Sequence, residues 1–245
     1  MSRADKKTDP PKSGDDQEKE QPGGWAETVK TIVFTVIIFL VIRTFVLQTF
    51  FITSGSMEDT MLVGDFLVVN RAAVGSRIPG TNIRIPGYSD VKLGDVLVFD
   101  PHHVDSLKLV KRLVGMPGDV LEMRDRVLYR NGQAVDEPYV KFDGSPDGAA
   151  PEMAWQMGYL APGADATDYR PTRDNWGPIL IPEGKYFMLG DNRHNSQDSR
   201  YWGVLDGWRF EGRVSFIYYS YNQGSTRPFS ALREIRWGRI GQRVR

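Results

Sequence analysis

The chain has 245 residues, room for one large domain or two small ones with tails, and its 31 basic and 31 acidic residues balance. Such balance gives no support to nucleic-acid binding, which draws on a basic stripe or face. There is no cysteine, which excludes disulfides, thiol catalysis and cysteine-held zinc.

Residues 1–24, MSRADKKTDPPKSGDDQEKEQPGG, are polar and charged with no apolar periodicity, and read as a disordered tail. The run WAETVKTIVFTVIIFLVIRTF follows. Its 18 residues from Trp25 to Ile42 would span about 27 Å as a helix, close to the ~30 Å of a hydrocarbon core. Trp25 suits one interface and Arg43 the other, while Lys30 can snorkel toward headgroups. A signal-peptide core is the competing reading. Against it, the preceding tail is long and carries acids as well as bases, and no small-x-small site follows promptly. We therefore expect an uncleaved anchor over 25–43. Arg3, Lys6, Lys7, Lys12, Lys19 and Lys30 stand on one side and Arg43 on the other. The positive-inside rule then puts the tail in the cytoplasm and the bulk of the chain outside.

Beyond the anchor the pattern is β. DFLVVNR (65–71), DVLVFD (95–100), LKLVKRLVG (107–115), KYFMLGD (185–191) and GRVSFIYYSY (212–221) are short and rich in β-branched and aromatic residues. Gly, Pro or Asp bounds them, which predicts strands. Asn131-Gly132 between two apolar runs predicts a type I′ hairpin, whose two central residues need positive φ. Residues 142–182 are rich in Gly, Pro, Asp and Ala and predict a loop-dominated insertion pinned by Trp155, Tyr159, Tyr169 and Trp176. The expected organisation is a β core over 44–118 and 183–225, an inserted hairpin and loop-rich subdomain over 119–182, and a C-terminal segment over 226–245.

Chemistry enters with TSGSMEDTM. A serine hydroxyl is a poor nucleophile until a base accepts its proton, and Gly55 lets the backbone turn and a substrate approach. On spacing alone, Ser-Gly-Ser is ordinarily a loop. The base must come from elsewhere. His102 and His103, with Asp100 and Asp105 nearby, make no compact metal motif, since neighbours on a strand point to opposite faces. His194, in GDNRHNSQDSRYWG, is the better histidine. Lys111 is the other candidate. Strand alternation sets Leu109, Lys111 and Leu113 on one face and Val110, Arg112 and Val114 on the other. Apolar face-mates desolvate an amine and lower its pKa, freeing it as a base. A Ser–Lys pair is a variant of the triad logic, while a snorkelling strand lysine is the ordinary alternative.

Four motifs in one order now carry a resemblance: TSGSMEDTMLVGDFLVVNR (53–71), GDVLVFD (94–100), LVKRLVGMPGD (109–119) and LGDNRHNSQDSRYWGVL (189–205). With the anchor before them, they make the chain resemble bacterial type I signal peptidases, membrane-anchored Ser–Lys endopeptidases of the S26 family, from the anchor to about Tyr221. The resemblance implies a mainly β fold: a transmembrane helix, then an extracytoplasmic antiparallel, barrel-like sheet with a smaller inserted β and loop subdomain. It implies Ser56 as nucleophile and Lys111 as general base. Ser54 would help line the oxyanion hole with the Ser56 backbone N–H, and Ser196 would orient the lysine amine. Asp198 and Arg200 would form a bracing ion pair joined by Arg112, supported by the turn Asp191, Asn192 and Arg193. Phe50, Ile52, Met57, Leu109 and Val110 would wall a shallow pocket for small side chains. The implied substrates are signal peptides of secreted preproteins, cut after a small-x-small pattern at the outer face of the plasma membrane. Membrane lipid and the protein-export machinery are the implied partners, with no cofactor, metal or nucleic acid.

Three positions depart from the family pattern. Asp59 stands where proline is common, His194 where an acid is common, and Gln197 where alanine is common beside the pocket. A self-cleaving repressor-type Ser–Lys protease would need a DNA-binding domain, and residues 1–50 offer no helix-turn-helix. A membrane-anchored β-domain that only binds partners would leave Ser56 and Lys111 without a role.

Overall fold

Ten apolar residues among the twelve from Thr31 to Ile42 leave no polar face, and Gly24–Val41 forms helix α1 in the computed structural model. That model describes residues 24–78, 81, 83–102 and 107–244. The tail expected over 1–24 therefore lies outside the described residues except for Gly24, as do His103 and Asp105. The chain divides into two units, Met1–Leu40 and Val41–Arg245. In the first, no residue of α1 is buried. Thr28, Thr31 and Thr35 return their hydroxyls to carbonyls one turn back, which removes their polarity from the helix surface. Among the described residues, Gly24–Val46 is the one helical stretch long and apolar enough to cross a membrane, as a membrane anchor must be.

The second unit is mainly β. Its strands in chain order are β1 (Leu47–Phe51), β2 (Asp65–Asn70), β3 (Gly75–Arg77), β4 (Arg84–Pro86), β5 (Val96–Phe99), β6 (Leu109–Gly115), β7 (Val120–Arg124), β8 (Val127–Arg130), β9 (Gln133–Ala134), β10 (Trp176–Leu180), β11 (Lys185–Leu189), β12 (Leu205–Asp206) and β13 (Phe210–Ser220). Seven make an antiparallel sheet in the order β1-β2-β13-β5-β6-β11-β12, four a second sheet β10-β7-β8-β9, and β3 and β4 a ribbon.

The side-chain period of two explains the layering. All four residues of β5 are buried. Val96 and Val98 enter one cluster with Ile52, Met57, Leu67 and Val69, while Leu97 and Phe99 enter another with Leu113, Met188 and Phe210. Full burial of each such side chain stabilises the unit by about 1.5–3 kcal/mol. Strand β2 shows the other pattern, with Asp65, Leu67 and Val69 buried and Phe66, Val68 and Asn70 half-buried. A third cluster, around Leu121, Met123, Trp176, Ile179 and Phe187, fills the space beside the smaller sheet.

Two features position the site. Among the described residues, strand β1 pairs only with β2. Strand β6 pairs with β5 along Leu109–Arg112, but with β11 only from Arg112 onward. Leu109–Lys111 therefore has a strand on one side alone among the described residues. Although β1 and β6 stand four places apart in the sheet, residues of both line one cavity, so the sheet curls.

The strands predicted around 65–71, 95–100, 107–115 and 185–191 are present with ends trimmed by one or two residues, and the one predicted over 212–221 runs from Phe210 to Ser220. Asn131 and Gly132 have φ of 53° and 78°, as a type I′ turn requires. The stretch 142–182 is less loop-like than expected: Pro151–Tyr159 forms a 3₁₀ helix and β10 adds to the edge of β7. Trp155, Tyr159 and Trp176 do pack against the cluster there. Tyr169 bridges instead, donating to Gln156 Oε1 and accepting from Gly177 N at 2.5 and 2.7 Å. His102 packs edge-on against Trp202.

Candidate active site

The turn Gly55–Met57 is one 3₁₀ turn between β1 and β2. Glu58 N donates to Gly55 O and Met61 N to Met57 O, which closes the turn and its exit. From across the sheet, Asn192 N donates to Ser56 O at 3.1 Å and Asn192 Nδ2 to Gly55 O at 3.1 Å. The glycine serves space rather than a special φ. A Cβ on Gly55 would stand 3.3 Å from Asn195 Nδ2. Ser56 ends up buried, and Ser54 Oγ stands 3.5 Å from Ser56 Oγ in an exposed position.

Strand β6 brings the base. Lys111 Nζ lies 2.5 Å from Ser56 Oγ, and the lysine is only 3% exposed. Burial lowers its pKa from an ordinary 10.5 to about 8; Asp198 and Asp191 pull the other way, and Arg200 adds to the lowering. Of the two candidate bases, geometry favours this one. His194 is engaged elsewhere, with Nδ1 2.5 Å from Asp143 Oδ1 and Nε2 3.3 Å from Asp174 Oδ1. Its partners are acids of the 142–182 stretch.

One expected pairing is corrected. Arg112 does not join Asp198 and Arg200. Its Nε and Nη2 grip the two oxygens of Asp191 at 2.8 and 2.6 Å, Nη1 reaches Gly94 O, Nη2 touches Thr60 Oγ1 at 3.3 Å, and the Tyr139 ring covers the guanidinium at 3.8 Å. The register explains it. Arg112 pairs with Leu189, two residues before Asp191, and residues two apart share a face. Asp198 and Arg200 form their own two-pronged pair, 2.8 Å on each side. Burial pushes the Asp198 carboxyl up, but the Arg200 guanidinium and the Gly190 N–H outweigh it and hold it below the usual carboxylate range.

The turn after β11 holds these groups together. Asp191 also takes Thr60 Oγ1 at 2.6 Å, and Asn192 clamps Ser56. Arg193 donates to Gly190 O and to Glu137. Ser196 is buried beside Gly190, where a Cβ would stand 2.1 Å from Ser196 Oγ and 2.6 Å from Ser56 O. Its hydroxyl makes no hydrogen bond to the Lys111 amine, contrary to the orienting role expected for it. Gln197 is exposed and lies off the cleft. Asp59 takes φ of 81°, a value a proline ring cannot adopt, and Lys141 Nζ stands 3.7 Å from its carboxylate.

Beside Ser56 opens a cleft of about 240 Å³ lined by Phe50, Ile52, Met57, Leu109 and Val110, with Phe51, Thr53 and Leu107 also on its walls. All five predicted wall residues are there. Thr60, Glu58, Tyr139 and Glu137 were not singled out in the sequence. Nothing local marks them, because their partners Asp191, Asn192, Arg112 and Arg193 arrive through the topology.

A family model described as "Signal peptidase, peptidase S26" matches residues 25–219. A signal peptidase I from Pseudomonas fluorescens is 38% identical over 62% of this chain and 54% of its own, and one from Pseudomonas aeruginosa is 39% identical over the same shares. A signal peptidase I from Bacillus licheniformis is 33% identical over 80% of this chain and 90% of its own. The chain thus spans about half the length of the two Pseudomonas relatives and nearly all of the Bacillus one.

Proposed function

The chain belongs to the signal peptidase family, peptidase S26, and from that premise we propose that it is a signal peptidase I, a serine endopeptidase that removes signal peptides from exported preproteins. The observation that carries the catalytic assignment is the 2.5 Å approach of the buried Lys111 amine to Ser56 Oγ. The neutral amine takes the hydroxyl proton as Ser56 Oγ attacks the scissile carbonyl. Charge develops on the carbonyl oxygen, where the Ser56 backbone N–H and the Ser54 hydroxyl are the available donors. The Lys111 ammonium then protonates the departing amine, leaving an acyl-enzyme on Ser56. Lys111 next deprotonates a water that releases the new carboxylate and restores the serine.

Substrate selection follows from the edges. An extended peptide entering between β1 and the Leu109–Lys111 stretch can pair its backbone on either side, so hydrogen bonds set the register. The small cleft under Phe50, Ile52 and Val110 then admits small side chains and excludes large ones, in keeping with a small-x-small pattern. Asp191, Asn192, Arg193, Asp198 and Arg200, with Arg112, brace this site as one hydrogen-bonded frame. Residues 44–118 and 183–225 form the catalytic core, and 119–182 an insertion upon it. The α1 helix is the anchor, with the N-terminus cytoplasmic on the balance of Lys and Arg, so lipid is the setting of the reaction.

Incubating detergent-solubilised protein with a preprotein and mapping the new N-terminus tests the reading. Cleavage after a small-x-small pattern by the wild type, and none by folded Ser56→Ala, is the expected result. A Ser56→Ala protein that still cleaves at the wild-type rate would overturn the mechanism.

A further inference from the structure

The family match ends at residue 219, yet the segment after it reaches back to the catalytic turn. We propose that Arg239 is a positioning residue for the proposed cleavage, with Arg236 assisting. Its guanidinium clamps residues 60–65, the loop that leaves the Ser56 turn, and through it holds Asp191 and the cleft wall in place. This inference rests on the Ser56–Lys111 reading above.

Asp65 is fully buried, and a buried carboxylate needs partners for both oxygens. Arg239 supplies them, with Nη2 2.6 Å from Oδ2 and Nε 3.1 Å from Oδ1. Ser220 Oγ and Leu62 N complete the set at 2.6 and 2.8 Å. The same Arg239 Nη2 donates to Thr60 O at 3.0 Å, and Arg236 Nη1 donates to Val63 O at 2.9 Å. Loop carbonyls that would otherwise turn to water are thus held by the C-terminal segment.

Two paths lead from this clamp to the chemistry. Thr60, gripped at its carbonyl, donates its hydroxyl to Asp191, whose charge bears on the Lys111 amine and which holds Arg112, the neighbour of Lys111. Asp65 O accepts from Ile52 N, and Ile52 O accepts from Gly64 N, at 2.9 and 3.0 Å. Ile52 lines the cleft two residues before Ser54. A lysine at 239 keeps one charge against Asp65 but lacks the planar fork that serves Asp65 and Thr60 together.

The experiment uses the full chain in detergent, with ¹³C-labelled lysine. The Lys111 amine is titrated by NMR, and kcat and KM for a signal-peptide substrate are followed against pH in wild type, Arg239→Lys, Arg239→Gln and Arg239→Gln with Thr60→Val. A slackened loop weakens the upward pull of Asp191 but lets water reach Lys111, and burial is the larger cause, so its titration should move up from about 8 toward the ordinary lysine value. With the serine and amine misplaced, kcat should fall about tenfold to a hundredfold with KM little changed. Arg239→Lys should recover thermal stability more fully than kcat, and Thr60→Val should add little to Arg239→Gln. A loss of melting temperature with an unmoved Lys111 titration and an unchanged kcat would mean that Arg239 only stabilises the fold, and the proposal falls. Should Arg239→Gln fail to fold, Arg239→Lys decides by the same titration. Wild type that cleaves nothing overturns the proposed function instead, while the titration still decides the clamp.

Discussion

A lysine amine is a useful base only when it is neutral. At an ordinary pKa of 10.5 about one molecule in three thousand is neutral at pH 7; at about 8, about one in ten is. Activity that depends on neutral Lys111 should therefore rise about tenfold between pH 7 and pH 9 and level off above. The stability consequence has the opposite origin. With the folded-state pKa lowered, unfolded chains bind more protons than folded ones between pH 8 and 10.5. The lysine accordingly opposes folding by on the order of 3 kcal/mol below pH 8, a cost relieved as pH rises from 8 to 10.5. Lys111→Met should thus be inactive, and at pH 7 it should melt no lower than wild type, because it removes a buried amine and keeps the volume. Lys111→Arg should be inactive as well, since a guanidinium keeps its proton. A pH–rate profile with thermal melts of both variants checks this, and activity retained in Lys111→Arg would assign the base to another residue. At this scale, Ser56, Lys111 and the five wall residues were legible only through the four ordered motifs that carry the family resemblance; turn and strand pattern alone left Ser-Gly-Ser an ordinary loop and Lys111 an ordinary strand lysine. The partner of Arg112 was not legible. A strand pattern tells which face a side chain uses but not which residue the neighbouring strand presents there.

Elements carry the site through their register, and one glycine shows how tightly. Gly190 follows β11 and lies where Ser196 and the Ser56 carbonyl converge; a Cβ there would come within 2.6 Å of both. Gly190→Ala must push the backbone of the Ser56 turn or displace Ser196, and the cost has no flexible side chain to absorb it. We expect a stability loss of about 1–3 kcal/mol, as for overpacking, with cleavage lost more steeply than stability because Asn192 and Ser56 move together. Melting and peptide cleavage of Gly190→Ala check this; wild-type kcat would show that the turn relaxes without moving Ser56. Elements with a strong β composition and turn residues at their ends were legible. β2, β5 and β13 are rich in β-branched or aromatic residues, and Asn131-Gly132 marks its hairpin. By contrast, β10 reads WGPIL, and glycine and proline within so short a run argue against a strand. It exists because the edge of β7 and the cluster around Phe187 accept Trp176 and Ile179, a tertiary cause that no local pattern carries.

At the scale of the whole molecule, the proposed function gives membrane binding to the first unit and bond breaking to the second. Among the described residues, the buried clusters of the second unit draw on none before Phe50. An early tie into that unit is Ser76 Oγ to Phe45 O at 3.1 Å, which a cut before Val41 leaves intact. A chain starting at Val41 should therefore fold in detergent, melt close to the full chain, and cleave a soluble signal-peptide analogue with unchanged kcat/KM. Membrane-embedded preprotein is another matter. An anchor confines enzyme and substrate to one surface, and losing it returns their meeting to bulk concentration, a loss of about a hundredfold or more in effective concentration. Cleavage of a preprotein reconstituted in vesicles should fall by that order, while cleavage of the soluble peptide does not. The comparison is made at equal enzyme concentration, full chain against residues 41–245, on both substrates. Equal losses on the two substrates would mean that α1 supports the fold of the active site, and equal rates on embedded preprotein would mean that the second unit finds the bilayer without its anchor.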